Sequence, residues 1–525
     1  MTIILCSIFL IVFFAIMLGV GFVTRKSAKD VNGFVLGGRS VGPWLTAFAF
    51  GTSYFSAVIF VGYAGQFGWN FGLASTWAGL GNALIGSLLA WRILGRRTRI
   101  MTQTLDSKTM PDFFEKRYDS KAIKVAASII VFIFLIPYTA SLYNGLSSLF
   151  GMVFDIPYWV IIVVMAVLTG IYVVVGGYMA TAINDFIQGL IMLVGIVAVI
   201  AAVLNDNGGL LEATKSLSAI PTKGWDAGAF SSFLGPDPLS LLFVVLLTSL
   251  GTWGLPQMVG KFYAIKSEKD IQKGTIISTF FAIIVAGGCY FLGGFGRLYA
   301  DKIQYRDNGQ PLFDSIIPSM LSTLPGVIVA IVIVLVLSAS MSTLSSLVLT
   351  SSSTFTLDVI KPACKNGLTE KKQVTIMRVF LVFFIIVSAV IAIVKDSYPG
   401  LTFIAQMMGV SWGALAGAFL APFLYGLYWK KTSKASVAVC FVWGVALAVF
   451  QFVVSISGID VSGWGSVLSF VFKSSINSGV VAMVGGLVIV PIVTLFTKKP
   501  DKDEMDKLYS CFDEKVSVPK KEALD

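Results

Sequence analysis

Thirteen long apolar stretches, separated by short polar segments, dominate the hydrophobic pattern of this chain. Each is close to the roughly 20 residues that an α-helix needs to cross the hydrocarbon core of a bilayer. The pattern therefore predicts an all-α, polytopic membrane protein with about 13 transmembrane helices. The approximate bounds of the stretches are 3–23, 43–65, 72–93, 124–150, 157–175, 183–204, 238–260, 275–296, 325–353, 376–394, 400–428, 435–456 and 477–497.

The first stretch could be mistaken for a cleaved secretory signal. It has no basic segment before it, and its apolar run, Ile3–Val23, is longer than the roughly 7–15 residues of a signal core. We therefore interpret it as an uncleaved transmembrane helix.

Composition agrees with burial in a membrane. Of the 525 residues 56% are hydrophobic and 13% charged, whereas soluble domains average about 25% charged residues. The chain contains no histidine, and its five cysteines are scattered without the spacing of a metal site. A histidine metal centre and a disulfide framework are therefore excluded as the basis of function.

The positive charges alternate along the chain. If the N-terminus lies outside, all but seven of the 39 Lys and Arg residues fall in cytoplasmic segments, including Lys261 to Lys273 as one such segment. The net charge of +11 then reflects topology and gives no reason to expect a nucleic-acid partner. We predict a multi-pass protein of the plasma membrane with its N-terminus outside and its C-terminus cytoplasmic.

Two of the stretches contain residues that favour a break in the helix. The second combines Gly51 with the hydroxyl residues of 52–56, and the seventh contains Gly251, Gly254 and Pro256. Interrupted helices in matching positions of two halves point to the binding site of a secondary transporter. The alternative is that these glycines serve close helix packing.

The ninth stretch carries a dense cluster of hydroxyl groups. Ser342, Ser345 and Ser346 are spaced i, i+3 and i+4, so on a helix they share one face. Neutral oxygens suit a hard cation such as sodium. The alternative is that these serines donate to carbonyls of their own helix.

Asp185 is an acidic residue at the start of the sixth stretch. A carboxylate within a membrane segment is a functional candidate by default. The alternative is a helix cap, in which the carboxylate would satisfy free N–H groups at a helix N-terminus.

These features together resemble the sodium/solute symporter family over about residues 1–500. The most specific segments are Ser56-Ala57 with Phe60 and Gly62, Tyr172 to Gly177 with Asp185 and Gln188, Pro256-Gln257, and Ser342 to Ser346 leading to Asp358. The resemblance implies a core of two inverted five-helix repeats like that of the bacterial leucine transporter. The repeats would occupy about 43–204 and 238–428 of a transmembrane domain 1–500, followed by a short cytoplasmic tail, 501–525.

The resemblance also implies a sodium site and a solute site. The sodium ligands would be the carbonyls of Thr52, Phe55 and Ser342 and the hydroxyls of Ser345 and Ser346. The solute site would comprise Tyr54, Ser56, Ile59, Trp77, Tyr138, Asn144, Ser249, Thr252 and Trp253.

The resemblance also implies that some members of the family have a second sodium site, built on an aspartate like Asp185 and hydroxyls one turn further along the ninth helix. Here that turn holds Val348 and Leu349. We therefore expect one coupling sodium ion and assign Asp185 a gating or second-ion role.

The functional hypothesis is a sodium-coupled symporter, not an enzyme, that imports a small organic solute by alternating access. The solute would be an amino acid, a sugar or an organic acid. The expected partners are this solute and the lipid bilayer, with no nucleic acid and no obligate protein partner. Alternatives are a transporter of the same fold driven by protons, a membrane sensor and an ion channel.

Overall fold

The computed structural model describes residues 2–154, 156–306, 309–364, 367–396 and 404–513. These residues form helices and no strand beyond isolated bridges. The main helices are α1 (Thr2–Val23), α2 (Pro43–Tyr54), α3 (Ala64–Phe71), α4 (Met110–Tyr118), α5 (Lys121–Val153), α6 (Tyr158–Asp206), α7 (Pro238–Leu250), α8 (Pro256–Ala264), α9 (Glu268–Ala282), α10 (Gly326–Phe355), α11 (Glu370–Asp396), α12 (Ile404–Tyr428), α13 (Lys434–Ile456), α14 (Ser475–Phe496) and α15 (Lys502–Tyr509).

Among the described residues, ten helices are long and apolar enough to cross a membrane, or eleven if a bent pair counts as one span. Two of the ten, Val58–Thr104 and Tyr158–Asp206, have 47 and 49 residues. Each is about twice the length that one crossing needs. The all-α membrane fold is thus confirmed, whereas the figure of 13 crossings stays a prediction. Residues 400–403 of the predicted stretch 400–428 lie outside the described residues.

The second predicted span is broken. Helix α2 ends at Tyr54, and Phe55 is extended, with φ −80° and ψ 117°. Helical turns resume from Ala57 and lead into α3. The break falls among the hydroxyl residues that the sequence singled out, and it frees backbone carbonyls at the end of α2 because no following N–H groups bond to them.

The seventh predicted span is broken as well. After α7 a short 3-10 segment, Gly251–Gly254, precedes an extended residue, Leu255. Helix α8 then begins at Pro256, which lacks the N–H that a continuous helix would use. The two parts of the span meet at 47°.

Helix α6 runs through two predicted stretches with a sharp kink between them. Gly177 adopts φ +56° and ψ −145° in its interior, on the side of φ that favours glycine. The predicted sixth span therefore has no free N-terminus near Asp185. That residue lies two turns beyond the kink, so the helix-cap interpretation of Asp185 is wrong.

Helix α10 lies at the centre of the molecule. It packs against α5, α6, α2 and α11, and every side chain from Val332 to Leu349 is buried. Other helices expose apolar side chains on their outer faces, as Ile11, Val194 and Val442 do at 69–70% exposure. Such faces suit contact with lipid. The hydroxyl-rich stretch is therefore enclosed by protein.

The polar segments that the sequence places in the cytoplasm pack together. Helix α4 packs against α5, and Arg117 at its end donates to the carbonyls of Gly426 and Trp429. Arg117 also donates to the hydroxyl of Tyr509 at the end of α15. The described part of the tail therefore docks on the membrane domain. Residues 514–525 of the predicted tail lie outside the described residues.

Candidate ion and solute site

Five oxygen atoms converge where the broken second span meets α10. The hydroxyl of Ser342 donates to the carbonyl of Thr52 over 3.2 Å. The hydroxyl of Thr343 lies 3.1 Å from that carbonyl and 3.2 Å from the carbonyl of Phe55. Both hydroxyls also lie 3.1 Å from the carbonyl of Ala339. We call these five groups the junction cluster.

The junction cluster has the chemistry of an alkali-cation site. Its three carbonyls and two hydroxyls are neutral oxygen ligands, which small hard cations prefer. Its side chains are fully buried, with 0% exposure for Thr52, Ser342 and Thr343. A cation there would replace weak hydroxyl–carbonyl bonds by direct coordination and would join α10 to the break.

Three of the predicted sodium-site residues belong to this cluster: Thr52, Phe55 and Ser342. Ser342 contributes its hydroxyl, whereas the sequence predicted its carbonyl. That carbonyl instead accepts a hydrogen bond of 2.9 Å from the hydroxyl of Ser345. Ser345 is thus bonded to its own helix, as the alternative interpretation of the serines described.

The hydroxyl of Ser346 has different neighbours. It lies 2.7 Å from the hydroxyl of Ser53 and accepts a hydrogen bond of 3.0 Å from the ammonium of Lys261. The ammonium also lies 3.6 Å from Oδ2 of Asp185. Ser346 therefore contacts the broken span, but through Ser53 and beside a buried lysine.

The assignment of Lys261 to a cytoplasmic loop is wrong. The sequence counted it among the charges that follow the seventh span, but α8 extends to Ala264 and Lys261 is 4% exposed. The charge of Lys261 ended the predicted span at Gly260, although the next residues, Phe262 to Ala264, continue the helix.

A small cavity lies beside the break of the second span. Of the predicted solute residues, Tyr54 and Thr252 line it. The polar side chains of Asn82, Ser87 and Ser278 and the rings of Phe50 and Phe281 complete much of its wall. An aromatic and neutral polar lining suits a small solute that carries few hydrogen-bonding groups.

Three further predicted solute residues lie around this cavity without lining it. The hydroxyl of Ser249 donates to Oδ1 of Asn82, and the indole N–H of Trp253 donates to the carbonyl of Ile85. The centre of the Tyr138 ring lies 6.1 Å from that of Trp412, and the centre of the Trp412 ring lies 5.6 Å from that of Tyr54. These contacts brace the cavity wall.

The remaining predicted solute residues are placed elsewhere. The indole N–H of Trp77 donates to the carbonyl of Phe233, and the two rings are in contact. Ser56, Ile59 and Asn144 are buried but do not line the cavity. Trp77 therefore supports the segment before α7.

A second, larger cavity of about 1820 Å³ opens at the ends of α3, α7, α12 and α14. Polar residues such as Asn70, Asp237, Gln406 and Lys473 line it. These are the helix ends that the sequence places outside. This cavity provides a wide vestibule at that end of the molecule.

Sequence reasoning missed Ala339, Thr343 and Lys261. Ala339, Ser342, Thr343 and Ser346 follow the spacing i, i+3, i+4 and i+7, so they form one helix face. The same spacing rule was applied to Ser342, Ser345 and Ser346, which selects a neighbouring face. The position of Thr343, next to Ser342, was the feature of the sequence that could have indicated the helix face observed in the structure.

Known proteins resemble this chain over most of its length. A sequence model of the sodium:solute symporter family matches residues 34–444. The chain is 28% identical over 501 residues to the osmoregulated proline transporter OpuE of Bacillus subtilis, covering 94% of each protein. It is 30% identical over 440 residues to a sodium/proline symporter of Staphylococcus aureus, covering 82% of each.

Solved structures share the fold. A Na⁺-coupled sialic acid symporter, solved in a substrate-bound outward-open state, superimposes with a TM-score of 0.71 at 19% identity. The alignment covers 95% of this chain and 99% of that one. A manganese transporter of Eremococcus coleocola superimposes with a TM-score of 0.51 at 12% identity, over 87% of this chain and 95% of that one.

Proposed function

The chain belongs to the sodium:solute symporter family and couples sodium to the transport of a small organic solute, and on this premise we propose its ion site and its solute. The sodium ion binds at the junction cluster. Its ligands are the carbonyls of Thr52, Phe55 and Ala339 and the hydroxyls of Ser342 and Thr343. The convergence of these oxygens at a helix break carries the proposal.

The coupling mechanism follows from where the ion sits. The carbonyls belong to the broken span and the hydroxyls to α10, so bound sodium ties the two elements together. The same break forms part of the cavity that contains Tyr54. Sodium therefore orders one wall of the solute site, and by linkage the solute must raise the affinity for sodium equally.

The proposed solute is a small zwitterionic amino acid, with L-proline as the first candidate. Relatives named as proline transporters cover 82% or more of this chain. The cavity lining is neutral, and its polar groups sit between aromatic rings. A carboxylate can be held by the N–H groups at a helix break without a cationic side chain.

Topology and stoichiometry complete the proposal. One sodium ion accompanies each solute across the plasma membrane. The N-terminus lies outside and the tail in the cytoplasm, and the core repeats occupy about 43–204 and 238–428. Transport requires neither a nucleic acid nor an obligate protein partner.

Uptake into proteoliposomes tests this function. The purified chain is expected to accumulate radiolabelled L-proline when sodium is high outside, and not when choline replaces sodium. Unlabelled L-proline should compete, whereas sialic acid should not. Proline accumulation that ignores sodium and follows an imposed proton gradient would refute the ion assignment, and no proline accumulation under either gradient would refute the solute.

A further inference from the structure

A buried positive charge lies one helical turn from the junction cluster. Lys261 of α8 is 4% exposed, and its ammonium contacts Ser346 of α10 and Asp185 of α6. It also lies 5.3 Å from the centre of the Tyr178 ring. Two other helices, α6 and α10, therefore supply the surroundings of this one charge.

The buried carboxylate of Asp185 requires a cation such as the ammonium of Lys261 beside it. Its side chain is 0% exposed, and its two carboxylate oxygens accept no hydrogen bond from the residues that the structure describes. A buried carboxylate without hydrogen bonds is costly unless a cation stands beside it. Lys261 is that cation, at 3.6 Å.

The atoms around the ammonium resemble the ligands of a small cation. They include a carboxylate of Asp185 and the hydroxyl of Ser346, which itself contacts the hydroxyl of Ser53 in the broken span. Oxygen donors of this kind bind hard cations. The ammonium thus takes a position that a free ion could otherwise fill.

We propose that Lys261 is a resident cation, which occupies a second cation position between Asp185 and Ser346 and removes the need for a second sodium ion. This inference rests on the proposed function, because it concerns how many sodium ions accompany the solute. A tethered ammonium remains bound to the chain throughout the cycle. It neutralises Asp185 and links α6, α8 and α10, but it takes no energy from the sodium gradient.

Next to the ammonium, a small cavity is lined by Lys261, Ser346, Gln257 and Ser353. The cavity also reaches Lys108, in the segment that the sequence places in the cytoplasm. If the lysine side chain is shortened or neutralised, an ion from solution therefore has a polar route to Asp185.

Binding of radioactive ²²Na⁺ to the purified full-length protein, without solute, tests the proposal. Wild type is expected to bind about one ion, and Lys261→Met about two, because the bare carboxylate recruits sodium. Lys261→Arg, which keeps a cation, should stay at one, as should Lys261→Met combined with Asp185→Asn. A folded Lys261→Met protein that binds no more sodium than wild type overturns the proposal.

Removing the junction cluster isolates the second position. At the sodium concentration that half-saturates wild type, Thr343→Val, with its roughly tenfold lower affinity, should bind little sodium. Thr343→Val with Lys261→Met should regain sodium binding at the second position. Failure of the proposed function would appear in wild type, as absent binding. If this inference is wrong, wild type would still bind sodium, but the variants with Lys261→Met would bind no additional sodium.

A variant that keeps Lys261 covers the case in which Lys261→Met does not fold. Wild type is expected to melt at a higher temperature in sodium than in choline. Asp185→Asn should show the same difference, because Asp185 faces the lysine and binds no sodium. Loss of that sodium-dependent rise in Asp185→Asn would make Asp185 a sodium ligand and overturn the proposal.

Discussion

At the scale of single residues, the proposed sodium site depends most on the hydroxyl of Thr343. It lies within 3.2 Å of three carbonyls, those of Thr52, Phe55 and Ala339. No other side chain among the described residues bonds to both carbonyls of the break. Its loss removes one ligand and leaves the hydroxyl of Ser342, through the carbonyl of Thr52, as the remaining link of this cluster between α10 and the break.

Replacement of Thr343 by valine keeps the volume and removes the hydroxyl. We expect the sodium concentration for half-maximal uptake to rise about tenfold or more, equivalent to about 1.4 kcal/mol of lost binding. Thr343→Ser, which restores the hydroxyl, should recover most of the affinity. The measurement is initial uptake rate against sodium concentration in proteoliposomes.

Ser345→Ala is the matched control for that substitution. Ser345 is equally buried on the same helix, but its hydroxyl donates to the carbonyl of Ser342. We expect its sodium dependence to stay within about twofold of wild type, since an intrahelical hydrogen bond contributes only about 1 kcal/mol to folding. A tenfold loss here with none in Thr343→Val would restore the ligand set predicted from sequence.

The predicted hydroxyl cluster lies on the helix that meets the break, but the groups that contact the two carbonyls of the break are Ser342 and Thr343, whereas Ser345 bonds to its own helix. A period of 3.6 residues shows which positions share a face, yet it does not show which face meets another helix. The contact of α10 with α2 decides that, and it is a tertiary feature. For the same reason Lys261 looked like a loop charge, because its partners come from α6 and α10.

At the scale of the elements, breaks in the helices shape the site. The breaks after Tyr54 and before Pro256 could be predicted because glycine, proline and hydroxyl residues cluster there. The kink at Gly177 was not predicted, since the apolar stretches on either side look like separate helices. The structure instead keeps them in one bent element, α6.

Gly177 is the residue on which that bend depends. A Cβ at this position would lie 2.9 Å from the ring of Phe34 and 3.1 Å from its carbonyl oxygen. With φ at +56°, Gly177→Ala is expected to cost about 1–3 kcal/mol. The measurement is the melting temperature in detergent, which should fall clearly.

Gly19→Ala provides the comparison, because a Cβ there would meet nothing within 4 Å. Its melting temperature should match that of wild type or exceed it slightly, since alanine favours helix over glycine. Equal losses in both variants would mean that the bend at Gly177 is unimportant for stability.

At the scale of the whole molecule, a buried charge network holds the predicted cytoplasmic end together. The ammonium of Lys124 lies 2.9 Å from Asp112, 2.7 Å from Glu115 and 3.4 Å from Asp358. Burial alone would raise the pKa of the Asp112 carboxyl, but Lys124 and Lys116 outweigh it, so that pKa lies below its ordinary value. Asp112 therefore stabilises the fold at neutral pH, and this contribution is lost only as acidification brings the pH through that lowered pKa.

Lys124→Met should destabilise the protein by about 3–5 kcal/mol, because it leaves buried carboxylates without their cation. Lys116→Met is the control. Its side chain is 34% exposed, forms an ion pair with Asp112 and donates to the backbone carbonyl of Asp106, so its loss should cost no more than about 1 kcal/mol. Denaturation of both variants in detergent at neutral pH measures their free energies of unfolding. Equal free energies would contradict the role of Lys124 as the cation that stabilises this charge network.

The central claim is that sodium ties the broken second span to α10. Hydrogen–deuterium exchange of the purified protein tests it most directly, by comparing backbone amides of residues 51–60 in sodium and in choline. We predict slower exchange of this segment in sodium, no change in α13, and no sodium effect in Thr343→Val. Identical exchange of residues 51–60 in the two salts, in a protein whose uptake is driven by sodium, would contradict the account.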